Sequence, residues 1–268
     1  MFKLEEIVEP DDVNIDNIKI NKELNSDIFV DDKMKPQVRQ KLLEIAKEFK
    51  DFCKIESRTP IVNVLMIGSN ANYNYSNLSD IDLHLVLNFN DISEDKEFVS
   101  EFFLAKKWIW SEEYNITIKD YNVECYVQDI SEVPSSAGMY SVLNDNWLQK
   151  PLKTNIIIDR KKIKQKASEI INEIEKLEAS KTPSTDKLNQ LKEKIKKMRQ
   201  NGLQAGGEYS IENLVFKVLR NGKYLEKIDN LKKKNVEKEL SIAEEKEYQM
   251  TKEQLHKVVT ELAKKKLK

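Results

Sequence analysis

The chain has 268 residues and a formal net charge of −1, and 40% of its residues are hydrophobic. This length can hold two modest domains, and the lack of a run of about 18 apolar residues argues against contact with a membrane. The acidic amino terminus lacks the apolar stretch of a secretory signal, and the two cysteines, Cys53 and Cys125, predict neither a disulfide nor a zinc site. We therefore expect a cytoplasmic protein.

The first predicted elements are an arm, a helix and two strands. Residues 1–35 are polar and show no steady period, which predicts an irregular arm with one short strand. A helical pattern begins at Pro36 and is expected to end near Phe52. The β-branched segments Ile61–Ile67 and Ile81–Leu87 then predict two buried strands on either side of a polar loop.

A helix and three further strands are predicted next. Glu94–Tyr114 has apolar residues at helical spacing, with acidic residues early and lysines later, as the helix dipole favours. Alternating apolar residues in Ile116–Ile118 and Tyr121–Val127, joined by the turn Lys119–Asp120, predict a hairpin. A short strand is expected from Gly138–Leu143.

Beyond Pro151 the apolar residues follow a helical period almost without interruption. They predict an antiparallel helical pair broken at Thr182–Ser184, followed by a corner at Gln204–Gly207. The next helix is expected to end at Asn221–Gly222, before another helix and a lysine-rich tail over Leu240–Leu267. The sequence thus predicts an arm (1–35), an α+β domain (36–150) and a basic helical domain (151–268).

The charges divide the chain into parts of opposite sign. Residues 1–150 hold 16 Lys and Arg against 28 Asp and Glu, whereas residues 151–268 hold 29 against 18. In one interpretation the lysine-rich helices, densest over Lys192–Arg199, are solvated and the opposed charges help the two parts to dock. In the other, the basic part contacts phosphate backbones and the acidic part holds a divalent cation.

The clearest chemical pattern lies where the first two strands meet the polar loop. Gly68 and Ser69 follow the first strand, and after ten residues Asp80 and Asp82 open the second. Residues two apart in a strand point to the same side, so the two carboxylates repel each other unless a cation such as Mg²⁺ or Mn²⁺ lies between them. Gly68 allows backbone amides to approach a phosphate, and Ser69 adds a donor at the start of an expected helix.

This pattern resembles that of the DNA polymerase beta-like nucleotidyltransferase superfamily. The shared features are an apolar residue before Gly68 and Ser69, a gap near ten residues, and two acidic residues around an apolar one. The resemblance covers roughly residues 36–130. It implies an α+β fold with a nucleotidyltransferase-type mixed sheet and flanking helices, followed here by an all-helical carboxyl-terminal region. It also implies a third carboxylate on a later strand, best matched by Glu124, although family members more often have Asp there.

The resemblance implies metal-dependent transfer of a nucleoside monophosphate from a nucleoside triphosphate to a hydroxyl, with release of pyrophosphate. Two Mg²⁺ ions would be held by three catalytic carboxylates, Asp80, Asp82 and Glu124. The substrate would be bound by Gly68, Ser69, Tyr73 and Tyr75. The basic helices favour an RNA acceptor, particularly a tRNA end.

Two other functions remain open. The loop rich in Asn and Tyr and the Glu at position 124 are compatible with a catalytically inactive, antitoxin-like partner that binds a nucleotide or nucleic acid. An oligonucleotide signal synthase would use nucleotides alone. His84 lies on the same side of its strand as Asp82 and is expected to pack beside the site and accept a hydrogen bond. Three aromatic residues at helical spacing are expected in the core: Phe102, Trp108 and Trp110.

Overall fold

The computed structural model describes residues 7–56, 59–134, 136–153, 155–180 and 183–241. They form a mixed α+β structure with a mixed sheet and helices, followed by a helical carboxyl-terminal region. The residues before the first helix form a small antiparallel pair, β1 (Phe29–Val30) and β2 (Lys33–Met34). None of the helices in these ranges combines the length and apolar composition that a bilayer crossing requires.

The first half of the chain supplies the main sheet and two helices. In chain order its elements are α1 (Pro36–Phe52), β3 (Asn63–Ile67), β4 (Ile81–Leu87), α2 (Lys96–Glu113), β5 (Thr117–Ile118), β6 (Tyr121–Asp129), β7 (Met139–Ser141) and β8 (Asn146–Gln149). The start of α1 is confirmed at Pro36, where the missing N–H of proline costs no helical hydrogen bond. Asp95 caps α2 by accepting a hydrogen bond from the Phe98 amide.

The aromatic residues of α2 differ from the prediction. Trp110 is buried, but Phe102 is 39% exposed and Trp108 is 67% exposed. The buried face of α2 is formed instead by Val99, Phe103 and Trp110, and the other two rings lie off this face. Aromatic residues occur around most of this helix, so their spacing alone did not identify its inner side.

The main sheet has the strand order β5-β6-β4-β3-β7-β8. β4 and β6 are parallel, whereas the other neighbouring pairs are antiparallel. Along β4 the buried residues Ile81, Leu83 and Leu85 alternate with half-buried Asp82 and His84. One face of β4 therefore packs into the core and the other carries polar side chains.

The second half of the chain contains four helices. They are α3 (Arg160–Ala179), α4 (Thr185–Gly206), α5 (Ile211–Asn221) and α6 (Tyr224–Leu240). The corner expected over Gln204–Gly207 lies at the end of this range, because α4 continues to Gly206 and the chain turns at Gly207, where φ is +65°. A glycine adopts this angle without strain, whereas Gln204 and Ala205 are compatible with a helix. The predicted tail lies outside the described residues, apart from its first two positions.

Buried side chains form two hydrophobic clusters. The first lies between the main sheet, α1 and α2, and the second lies among α3, α4, α5 and α6. Residues of the predicted arm belong to both: Ile15 and Ile18 pack in the second cluster, and Leu24 and Ile28 pack in the first. The amino-terminal residues thus contact both halves of the chain.

Candidate functional site

Three carboxylates lie at neighbouring positions of two adjacent strands. Asp80 immediately precedes β4, and Asp82 lies opposite Glu124 in the parallel register of β4 and β6. Asp82 and Glu124 belong to the half-buried rows of their strands, which alternate with the core residues. The fold therefore brings the predicted carboxylates to the polar face of the sheet.

Gly68 has two reasons to be glycine. Its φ of +78° lies in a region that side-chain-bearing residues rarely adopt. A Cβ at this position would also lie 1.9 Å from Oδ2 of Asp82, since Ile67 is the β3 residue opposite Asp82. The Asp82 carboxylate thus packs directly on the backbone at Gly68, and any larger residue would displace it.

The two aspartates carry unfavourable negative charge. Burial, then the charges of Glu124 and Asp80, raise the pKa of Asp82 to about 6. Burial, then the charge of Glu124, also raise the pKa of Asp80. Lys107 and Arg220 act in the opposite direction on both pKa values without cancelling the rise. A divalent cation would relieve this repulsion, and one or two carboxylates are a set that Mg²⁺ accepts.

Glu124 has a different partner. Its Oε2 accepts a hydrogen bond from Nζ of Lys107, on α2, at 3.1 Å. In the described ranges, no group of three or more His, Cys, Asp and Glu side chains is close enough to hold one metal ion. Glu124 is thus bonded to a lysine, and Asp80 and Asp82 remain as a candidate pair of metal ligands.

The loop from Ser69 to Ser79 is fixed by its own polar side chains. The hydroxyl of Ser69 donates to that of Ser79 at 2.9 Å. The buried Asn70 donates to the carbonyl of Asp80 at 2.9 Å and accepts from Asn25 at 2.7 Å. The expectation of a helix after Gly68 is wrong, because residues 69–71 form a single 3-10 turn. A phosphate bound after Gly68 would therefore contact backbone amides of the loop and would not lie at the start of a helix.

The two tyrosines of this loop are placed differently from the carboxylates. Tyr73 is 7% exposed and belongs to the first hydrophobic cluster. Tyr75 is half-buried, and burial, with smaller effects of Tyr121, Asp27 and Glu23, raises its pKa. In the part of the chain that the structure describes, no contact joins the ring of Tyr73 or Tyr75 to Asp80 or Asp82.

His84 lies beside the site in a fixed orientation. Its Nδ1 is 2.8 Å from Oε1 of Gln128, and the Gln128 side-chain amide donates to the carbonyl of Glu132 at 3.0 Å. The Gln128 oxygen must then accept, so His84 donates through Nδ1, in contrast to the accepting role expected from the sequence. Burial lowers the pKa of His84, which favours the neutral ring.

Three cations from the helical region lie within electrostatic range of Asp82. Arg199 of α4 stacks on the Phe216 ring at 4.2 Å, and its buried Nε has no hydrogen-bond partner. Burial lowers the pKa of Lys217 on α5 to about 8, with the charges of Arg220 and Arg199 acting in the same direction. The nearby charge of Asp82 raises the pKa values of Arg199 and Lys217.

These three residues were not identified as a group from the sequence. Lys217 and Arg220 are three residues apart on α5, which is the only local signal that they share a helix face. In the part of the chain that the structure describes, no ion pair or side-chain hydrogen bond engages Arg199, Lys217 or Arg220. By contrast, Lys192 and Lys194 of the predicted basic cluster pair with Asp229 and Glu173, respectively.

Glu208 connects the helical region to the site loop. Its carboxylate accepts hydrogen bonds from the side-chain amides of Asn72 at 3.0 Å and Asn74 at 2.7 Å. It also accepts one from the backbone amide of Ala137 at 2.9 Å. Because Asn72 and Asn74 are buried, these bonds attach the chain between α4 and α5 firmly to the loop before Asp80.

The resulting site has carboxylates on the sheet and cations on the helices. Gly68, Asp80 and Asp82 lie together, and the charges of Arg199, Lys217 and Arg220 interact with that of Asp82. Such an arrangement suits a ligand that carries both a divalent cation and phosphate groups. Comparison of the chain with protein-family models, curated proteins and solved structures finds no match.

Proposed function

We propose that the protein transfers a nucleoside monophosphate from a nucleoside triphosphate to a hydroxyl acceptor, as members of the nucleotidyltransferase superfamily do. The observation that carries this proposal is the packing of Asp82 on Gly68 beside Asp80, with Arg199, Lys217 and Arg220 within electrostatic range of Asp82. In a site with only a structural role, an ion pair such as Lys with Asp would neutralise the carboxylates. Here the carboxylates keep raised pKa values, which suits a bound divalent cation.

Each part of the site has a task in this reaction. Asp80 and Asp82 would hold the divalent cation, which supplies positive charge to the phosphate oxygens. Gly68 has no side chain and so leaves room for the Asp82 carboxylate to lie against the backbone. Arg199, Lys217 and Arg220 would bind the terminal phosphates and stabilise the pyrophosphate that leaves.

The reaction needs no protein nucleophile. The acceptor oxygen forms a bond to the α-phosphorus while the bond from this phosphorus to the bridging oxygen of the β-phosphate breaks. The electron pair of that bond leaves with pyrophosphate, and the hydroxyl proton passes to solvent. The contribution of the protein is positioning and charge, which are the main requirements of phosphoryl transfer.

We propose an RNA end, such as that of tRNA, as the acceptor. Residues 151–268 hold 29 Lys and Arg against 18 Asp and Glu, and this excess of positive charge favours a polyanion. The α4–α5 corner is tied to the site loop through Glu208, so an RNA bound to these helices would lie near the carboxylates. Binding of this kind should weaken as the salt concentration rises.

Incorporation of labelled nucleotides tests the proposal. Wild-type protein with Mg²⁺, each nucleoside triphosphate in turn and total RNA should label the RNA and release pyrophosphate. Asp82→Asn should lower the rate by roughly 100-fold or more, because several kcal/mol of charge stabilisation are lost. Asp51→Asn, at an exposed position of α1, is the matched control and should keep the wild-type rate.

Equal incorporation by wild type and Asp82→Asn would contradict the assignment. Product formed without added RNA would point instead to an oligonucleotide synthase. Nucleotide binding that is indifferent to both Mg²⁺ and Asp82→Asn, without incorporation, would favour an inactive binding protein.

A further inference from the structure

The carboxylates of Asp82 and Glu124 have different contacts. Their strands are neighbours, in the order β6-β4-β3. Asp82 of β4 leans toward β3, because its Oδ2 occupies the space that a Cβ of Gly68 would need. Glu124 of β6 contacts Lys107 of α2, the helix that packs along β6. The Asp82 carboxylate is therefore held against the backbone at Gly68, and the Glu124 carboxylate is held by a lysine.

We propose that this site binds one divalent cation, through Asp80 and Asp82, and that the Lys107 ammonium takes the place of a second cation beside Glu124. The inference rests on the proposed function and departs from the two-ion site implied by the resemblance. It assigns Glu124 to holding the lysine and removes it from the metal ligands.

The surroundings of Lys107 support this role. Its Nζ lies 3.1 Å from Glu124 Oε2 and 6.0 Å from the centre of the Tyr126 ring, so two groups on β6 attract the ammonium. Its charge also lowers the pKa values of both Asp80 and Asp82. One lysine thus acts on all three carboxylates, as a second metal ion would.

Lys107, which is covalently part of the chain, also competes well with a second Mg²⁺ ion for Glu124. The side chains of Lys107 and Glu124 are 32% and 44% exposed, and a pair this exposed is worth about 0–1 kcal/mol by itself. However, a second Mg²⁺ would find at Glu124 a single carboxylate already bonded to an ammonium. Because Mg²⁺ gives up its water reluctantly, one occupied carboxylate is a poor site for it.

The number of bound ions tests the inference without measuring activity. Native mass spectrometry of the full chain with Mn²⁺ and without nucleotide counts the ions in each complex, since a nucleoside triphosphate would carry an ion of its own. Wild type should hold one Mn²⁺, and Asp82→Asn should hold none. Lys107→Gln should hold two, because Glu124 is then free to bind an ion, whereas Lys107→Arg keeps the charge and should hold one.

Lys106→Gln is the matched control. Lys106 is the neighbouring residue, but its ammonium lies over the rings of Phe52 and Phe102 at 5.2 and 5.6 Å, so its loss should leave one bound ion. If Lys107→Gln does not fold, the variant Glu124→Gln tests whether Glu124 is a metal ligand. We expect it still to bind one Mn²⁺ with unchanged affinity. Loss of an ion from Glu124→Gln would show that Glu124 is a ligand and overturn the inference.

The remaining outcomes separate the two proposals. Two Mn²⁺ ions on the wild type would overturn the one-ion site, and an unchanged single ion on folded Lys107→Gln would overturn the role of Lys107. Both results would leave the transferase proposal intact. A wild-type complex without any Mn²⁺ would overturn both proposals.

Discussion

Asp82 is placed where it costs stability. Its carboxylate is half-buried, lies against Gly68, and has Glu124 and Asp80 as like-charged neighbours. Such strain is typical of functional sites, since a side chain chosen for packing alone would be uncharged here. Replacing Asp82 therefore measures how much its charge lowers the free energy of unfolding.

Asp82→Asn should stabilise the metal-free protein at pH 7 by about 3 kcal/mol, because the variant has no carboxyl group to ionise in this half-buried, negatively charged place. The folded-state pKa of about 6 lies above the ordinary value of 3.8, so the folded protein holds more protons than the unfolded chain between these values. Stability contributed by protonated Asp82 is full below about pH 4 and is lost as the pH rises through about 6. Urea unfolding from pH 4 to pH 8 measures this.

The difference between Asp82→Asn and wild type should therefore vanish near pH 4. Asp51→Asn, exposed on α1, should change little at any pH. A neutral variant less stable than wild type at pH 7 would mean that Asp82 is held by favourable contacts and is not strained.

At the scale of elements, α4 and α5 approach closely at one glycine. Gly202 is buried, and a Cβ there would lie 2.5 Å from Cβ of Glu212 and 2.8 Å from Oγ of Ser210. This contact sets the distance between the two helices that carry Arg199 and Lys217. The glycine therefore acts through packing, although glycine is unfavourable inside a helix.

Gly202→Ala should lower the free energy of unfolding by about 1–3 kcal/mol, because the added methyl group forces α5 away from α4. This cost exceeds the gain of about 1 kcal/mol that alanine brings to an exposed helical site. Urea denaturation, monitored by circular dichroism, measures the free energy of unfolding of the variant and of the wild type. Asn201→Ala, exposed on the same helix, is the control and should be neutral or slightly stabilising. An equally stable or more stable Gly202→Ala would show that the helices can separate at no cost.

Sequence patterns predicted the elements well where a single period dominated. α1 and β4 have the predicted limits because their apolar residues follow one clear pattern, bounded by Pro36 and by Asp80. β8 was not predicted, since three of its four residues are exposed and show no alternation of apolar and polar side chains. The 3-10 turn after Gly68 replaced the expected helix because the Asn and Ser side chains of that loop bind one another and the backbone.

At the scale of the whole molecule, Glu208 holds the two halves of the site together. Its carboxylate accepts hydrogen bonds from Asn72, Asn74 and Ala137, and the neighbouring Tyr209 hydroxyl donates to Asn72 at 3.5 Å. If these bonds set the position of the helices, they also set the distance between the cations and Asp82. The asparagines that made the loop unusual in the sequence are thus part of a structural contact.

Glu208→Gln should loosen this contact, because an amide replaces one accepting oxygen and adds a donor facing other donors. We expect faster hydrogen exchange at the Ala137 amide and about tenfold weaker binding of a nucleoside triphosphate analogue, equivalent to about 1.4 kcal/mol. Exchange followed by mass spectrometry and titration calorimetry measure these effects.

The control for this variant is Glu226→Gln, at an exposed position of α6. It removes the same charge from the helical region and should change neither quantity. Equal effects of both variants would assign the loss of affinity to net charge, and an unaffected Glu208→Gln would mean that other contacts hold the corner in place.

Features that depend on neighbouring residues could be predicted from the sequence. They are the strands around the loop, the glycine at the turn and the shared face of Asp80 and Asp82. These follow from the alternation of side chains along a strand, which acts over a few residues. The cation that lies near each carboxylate depends instead on tertiary packing. Lys107 reaches Glu124 across 17 positions, and Asp82 faces cations from α4 and α5. Such pairings depend on how distant elements pack, and no local pattern in the chain records them.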